Sequence, residues 1–234
     1  MQAERHTTWS GFGLSWMLAN LIAFTVGVTL AGALIRTGEQ PYFGAVTSAT
    51  DAARIVAVNA GVSAAVFGSL LGTAQWLALR RALTGAGWWA PTTTLGYAVG
   101  GAFSGALSGA LGGAVSGVGP DLGITGFLVA TAVGILVVGL LPSALQWLVL
   151  RRQVPRAGWW VAASGGSLIV GLGAGLTLVR WGLVDALHWL QPEDFPSVRS
   201  WVALGVISGL LYAAVTRATL MRLLRSRLRP LTKV

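Results

Sequence analysis

The chain contains no cysteine. Disulfides, thiolate nucleophiles and cysteine-ligated metals are therefore excluded. Charge is nearly as scarce: Lys, Arg, Asp and Glu make up 10% of the 234 residues, where a soluble domain carries about 25%. No formal charge lies between Arg81 and Asp121, or between Asp121 and Arg151. Histidine occurs only at His6 and His188, too few for histidine-rich metal sites or multi-histidine pigment ligation. There is no glycine-rich phosphate loop before a lysine, no zinc-protease histidine pair and no serine–histidine–acid set.

What fills the chain instead is apolar: 54% of its residues are hydrophobic. Uncharged apolar runs of about 18 residues or more read as transmembrane helices. They are too long for barrel strands and lack period-two alternation. Six spans are predicted, at 12–35, 54–79, 89–117, 123–150, 159–179 and 200–218. Each is long enough to cross a hydrocarbon core of about 30 Å. The first follows Arg5 but exceeds the apolar core of a signal peptide, so it is read as a span. The expected fold class is an all-α integral membrane protein of six transmembrane helices.

One phrase occurs twice. QWLALRRALTGAGWW (75–89) returns as QWLVLRRQVPRAGWW (146–160), identical at ten of fifteen positions. It reads as helix, short turn, helix at one membrane surface. Trp76, Arg80, Arg81, Trp88, Trp89, Trp147, Arg151, Arg152, Trp159 and Trp160 would be interfacial anchors, arginines in the headgroups and tryptophans in the aromatic belt. A fainter third copy follows the same spacing. Trp16, Trp89 and Trp160 each precede a glycine by 11 residues, and Gln75 and Gln146 correspond to Tyr212. The expected organisation is a single transmembrane domain of three parallel helical hairpins, about 9–81, 82–152 and 153–220, followed by a basic tail at 221–234. This differs from the inverted repeats of many secondary transporters.

The QWLxLRR…GWW pattern, with GLLYAAVTRATL near the end, resembles a loose group of uncharacterised bacterial multi-pass membrane proteins. That resemblance implies a bacterial inner membrane. It brings no activity, cofactor or functional residue with it.

The net charge of +9 has a topological explanation. Six spans place both termini and both Arg-Arg turns on one side. Twelve of the 16 basic residues then lie there against one acid, Glu4, and four basic residues face six acids on the other side. The positive-inside rule makes the basic side cytoplasmic. Nucleic acid is accordingly not expected as a partner.

The third span carries GAFSGALSGALGGAVSG at 101–117. Gly101, Gly105, Gly109, Gly113 and Gly117 recur every four residues, with serines on a neighbouring ridge and large residues on a third. Gly68 and Gly72 in the second span and Gly205 and Gly209 in the sixth share the habit. Small-xxx-small rows let helix backbones approach closely in a bilayer. The ladder therefore packs within the chain, packs against another protein or copy, or lines a pore.

Candidate chemistry is sparse. Asn20, Asn59, Gln75 and Gln146 are the polar residues inside the spans, and interhelical hydrogen bonding explains them without a ligand. Asp185 and His188, three apart in the outer loop near Glu193 and Asp194, are the weak candidate for a metal or acid–base site, against a plain surface loop. The tail sets Leu220, Leu223, Leu224 and Leu228 opposite Arg222, Arg225 and Arg229, a face suited to anionic inner-leaflet lipids. Eleven tryptophans leave open a bound pigment, quinone or lipid. Two functions are expected: a non-catalytic accessory or scaffold subunit packing on other membrane proteins, or itself, through Gly-rich faces; or a channel or carrier for a neutral or lipid-like molecule.

Overall fold

A computed structural model describes residues 2–39, 48–80, 82–115, 123–180 and 198–228. The described chain contains six long helices: α1 (Gln2–Glu39), α2 (Ala49–Leu79), α3 (Trp89–Val115), α4 (Gly123–Leu150), α5 (Gly158–Arg180) and α6 (Val198–Leu228). A helix satisfies its own backbone groups, which is why long apolar sequence takes this form in hydrocarbon. Among the described residues, four stretches are long and apolar enough to cross a membrane: Gly11–Thr37, Ala49–Leu79, Val129–Leu150 and Val198–Ser226.

Each helix packs on its neighbours in the chain, and α1 also packs on α6. The six therefore form a closed ring. Large aliphatics point outward: along α1, Leu14, Leu18, Ile22, Val26, Leu30 and Leu34 are all exposed at four-residue intervals. Small residues point to neighbouring helices. Ser48 starts α2, its hydroxyl accepting from the Asp51 amide at 3.1 Å; this satisfies one orphan amide of the first turn.

The repeated phrase forms two turns of one design. Arg80 N donates to Trp76 O and Leu83 N to Leu79 O; Arg151 N donates to Trp147 O and Val154 N to Leu150 O. Leu79, Leu83 and Ala86 are buried with Leu150, Val154 and Ala157 in one cluster. The turns also clasp each other: Thr84 Oγ1 donates to Gln153 Oε1 at 3.0 Å, and Gln153 Nε2 donates to the Thr84 carbonyl.

Both turns pass through the left-handed region at the same place, Gly85 at φ 74° and Arg156 at φ 57°. That conformation costs an L-residue roughly 1–2 kcal/mol, partly offset by the extra freedom glycine has when unfolded. Arg156→Gly should therefore stabilise the protein by about 0.5–1 kcal/mol. A denaturant titration in detergent checks this, and a lowered midpoint would contradict it.

The carboxyl-terminal segment departs from expectation. α6 runs without a break to Leu228, so the described part of the tail is not a separate unit. Leu220, Leu223 and Leu224 lie in the buried cluster with Trp16, Leu79 and Leu150. The face expected to meet lipid meets the ring, because the apolar ridge of α6 continues in phase past the end of the span. Arg222 and Arg225 remain exposed.

Candidate functional site

The centre of the ring is built from the tryptophan doublets. Adjacent helical residues point about 100° apart, so both cannot take the same side. Trp88 and Trp159 face outward, 70% and 68% exposed, whereas Trp89 and Trp160 are fully buried. The assignment of Trp89 and Trp160 as interfacial anchors is thereby corrected. With Trp16 they form a buried group: Trp160 meets Trp16 at 6.1 Å and Trp89 at 5.4 Å between ring centroids, both edge-on.

One turn further along, each odd helix presents a polar residue four positions past its tryptophan: Asn20, Thr93 and Ser164. The even helices present Gln75, Gln146 and Tyr212. All six side chains are buried. Gln75 Nε2 donates to Asn20 Oδ1 at 2.7 Å, Gln146 Nε2 donates to Thr93 Oγ1 at 2.8 Å, and Tyr212 shares a 2.9 Å bond with Ser164. Each of these bonds joins an odd helix to the even helix after it.

Other bonds cross the centre. Gln146 Nε2 donates to Gln75 Oε1 at 3.1 Å, and Gln75 Nε2 donates to the Tyr212 hydroxyl at 3.2 Å, linking α2, α4 and α6. The tryptophans cap the network from one end. Trp89 Nε1 donates to Gln75 Oε1 at 2.8 Å, and Trp160 Nε1 donates to Gln146 Oε1 at 3.0 Å. Trp16 Nε1 instead reaches Thr216, one turn beyond Tyr212, at 3.1 Å. On the other side lie Phe24, Phe67, Tyr97 and Tyr212, with ring centroids 4.8–5.1 Å apart.

Burying amides and hydroxyls is costly unless they are paired. Among the described residues, only Ser63 Oγ and Trp201 Nε1 are buried side-chain atoms with no partner. The central network is thus closed on itself. Its groups are neutral donors and acceptors, suited to holding helices together or to meeting an uncharged molecule. The described residues contain no cluster of three or more His, Asp or Glu side chains. Asp185, His188, Glu193 and Asp194 lie outside the described residues.

The glycine ladder faces inward along the ring wall. A Cβ on Gly101 would sit 2.5 Å from Ala64 Cβ, on Gly105 2.5 Å from the Val56 carbonyl oxygen, and on Gly109 2.6 Å from the Ala52 carbonyl oxygen. These described rungs are occupied by α2, which is the first of the three contacts expected for the ladder, packing within the chain. Gly113 belongs to the last turn of α3, and Gly117 lies outside the described residues. Gly68 and Gly72 of α2 receive Tyr97 and Thr93, while Gly205 and Gly209 of α6 receive Thr25 and Phe24. Every one of these approaches is within the chain.

The remaining anchors sit at the turns. Arg80 lies over the Trp76 ring at 5.8 Å and Arg151 over Trp147 at 5.2 Å, in cation–π geometry. Arg152 is exposed, and Arg81 lies outside the described residues. Asn59 takes no part in this network and donates to the Ile35 carbonyl at 3.1 Å. Sequence reasoning missed Thr93, Ser164 and Thr216. The available signal for the first two was their place four residues after a tryptophan, where Asn20 also stands.

The chain matches no protein-family model, no curated protein and no solved structure.

Proposed function

We propose that this is a non-catalytic, six-span protein of the bacterial inner membrane, a channel or carrier for a neutral small molecule whose path is shut by the Trp–Gln plug. The observation that carries the reading is the convergence of one uncharged polar side chain from each of six helices on the centre of a closed ring. A subunit serving only as a scaffold does not require a polar centre.

Six spans are supported by length and charge. α3 has 27 residues and α5 has 23, about 40 and 35 Å at about 1.5 Å per residue. The hydrocarbon core is about 30 Å thick. α3 has no charged residue, and α5 has only Arg180 at its end. Three hairpin repeats are supported by the two matched turns and by the three like bonds from Gln75, Gln146 and Tyr212. Cytoplasmic termini follow from twelve basic residues against one acid on their side. The bilayer is the environment of the outward aliphatic faces.

Reconstitution in liposomes tests the function. Swelling or efflux assays with small polyols, amides and alcohols should show solute exchange above protein-free vesicles. The double variant Gln75→Ala, Gln146→Ala should exchange at least about tenfold faster, since about 1.4 kcal/mol removed from a barrier gives that factor. Silence of both proteins across the panel would sink the transport reading. A stoichiometric membrane partner retained in native mass spectrometry, together with that silence, would make the protein an accessory subunit.

A further inference from the structure

The plug and the ladder leave one described feature without a use. A cleft of about 370 Å³ opens beside the α2–α3 turn, lined among others by Trp76, Arg80, Thr84, Gly85 and Gly87. Among its described lining residues the one cation is Arg80, which is exposed. Among the described residues Arg80 makes no ion pair; its guanidinium lies over Trp76. The aromatic face orients a guanidinium without neutralising it. A planar, permanently charged fork facing an open cleft is the residue type that recognises phosphate oxygens. Carboxylates are scarce on this side of the protein, where Glu4 is the one acid by sequence.

The cleft owes its room to the turn. Gly85 contributes no side chain, and the nearest atom to a Cβ placed there is Gln153 Nε2 at 3.7 Å. At the matching turn, Pro155 and Arg156 stand in place of Thr84 and Gly85. The volume is of the size of small-ligand sites.

We propose that this cleft binds a phosphate-bearing anion through Arg80, with Trp76 as its wall, and that an anionic phospholipid headgroup is the occupant in the membrane. The headgroup assignment rests on the reading that this turn lies at the membrane surface. Phosphate recognition by Arg80 does not.

The test uses the full chain in nanodiscs of mixed phosphatidylglycerol and phosphatidylethanolamine. Native mass spectrometry should find phosphatidylglycerol retained, with Arg80→Gln lowering its occupancy about fivefold, the scale of one basic contact near a membrane. Arg222→Gln removes an equal charge outside the cleft and should change occupancy less than about twofold. Arg80→Lys should fall between wild type and Arg80→Gln, because the charge stays but the fork is lost. In neutral detergent without lipid, ³¹P line broadening of inorganic phosphate gives the second arm. Broadening abolished by Arg80→Gln, without lipid retention, supports the cleft and moves the occupant to a soluble phosphate. Equal losses in Arg80→Gln and Arg222→Gln, or no binding in either arm, overturn the proposal. Solute flux is a separate readout, so failure here leaves the transport reading standing and failure there leaves this one.

Discussion

Gly105→Leu is expected to destabilise the isolated protein by about 3 kcal/mol, the upper end for overpacking a core. The Cβ would lie 2.5 Å from the Val56 carbonyl oxygen and 2.7 Å from Ala60 Cβ. The first obstacle is backbone, which cannot turn aside as a flexible side chain does. Relief requires α2 and α3, the most extensive helix pair in the ring, to separate. Phe103→Ala is the control: Phe103 is on the same helix but half exposed, so its loss should cost under about 0.5 kcal/mol. Denaturant titrations in detergent, followed by tryptophan fluorescence, measure both. A Gly105→Leu variant as stable as wild type would mean that the ladder does not bear on α2.

Gln75→Leu should cost about 2–4 kcal/mol, although the two side chains are similar in size. Gln75 makes four side-chain bonds, to Asn20, Tyr212, Trp89 and Gln146. Interhelical bonds in membranes average about 0.6 kcal/mol each, and an orphaned buried donor costs about 1–3 kcal/mol. Trp89 suffers most, since its indole has one donor and Gln75 Oε1 is its acceptor. Gln146 keeps Thr93, and Tyr212 keeps Ser164. Trp89→Phe should therefore cost less, about 1 kcal/mol, because Gln75 Oε1 still receives Gln146. The order of the two midpoints is the decisive readout. A neutral Gln75→Leu would show that apolar packing at the centre serves equally well.

Much of this arrangement was written in the chain. The helices follow from uncharged apolar runs, and the repeated phrase follows from two turns that bury aliphatic side chains at the same places and each pass through the left-handed region once. The pairing of Gln75, Gln146 and Tyr212 is visible as spacing, and the structure joins the three by interhelical bonds. Other features were not legible, for physical reasons. The Trp-Trp doublets suit a membrane interface, but composition does not say which partner turns inward; the 100° rotation between neighbours does. The ladder identifies a ridge that wants close contact without naming the surface it meets. The complementary small ridge, Ala52, Val56, Ala60 and Ala64, lies on the preceding helix, and a search for matched ridges on consecutive spans would have paired them. The leucines of the tail looked like a lipid-facing stripe because burial against one's own helices and burial in a bilayer select the same residues.

The closed ring also dictates an order of assembly. Its principal helix contacts join elements adjacent in the chain, except for the seam between α1 and α6. Helices emerging one after another from the ribosome can dock as they arrive, each closing only the connection to the helix before it. The seam is different, since Trp16 must wait for Thr216, 200 positions later. Until α6 is made, the indole of the first helix is without its acceptor, although its asparagine already has Gln75. A chain interrupted before that point carries an open edge along its first helix, where the finished protein has the α1–α6 seam.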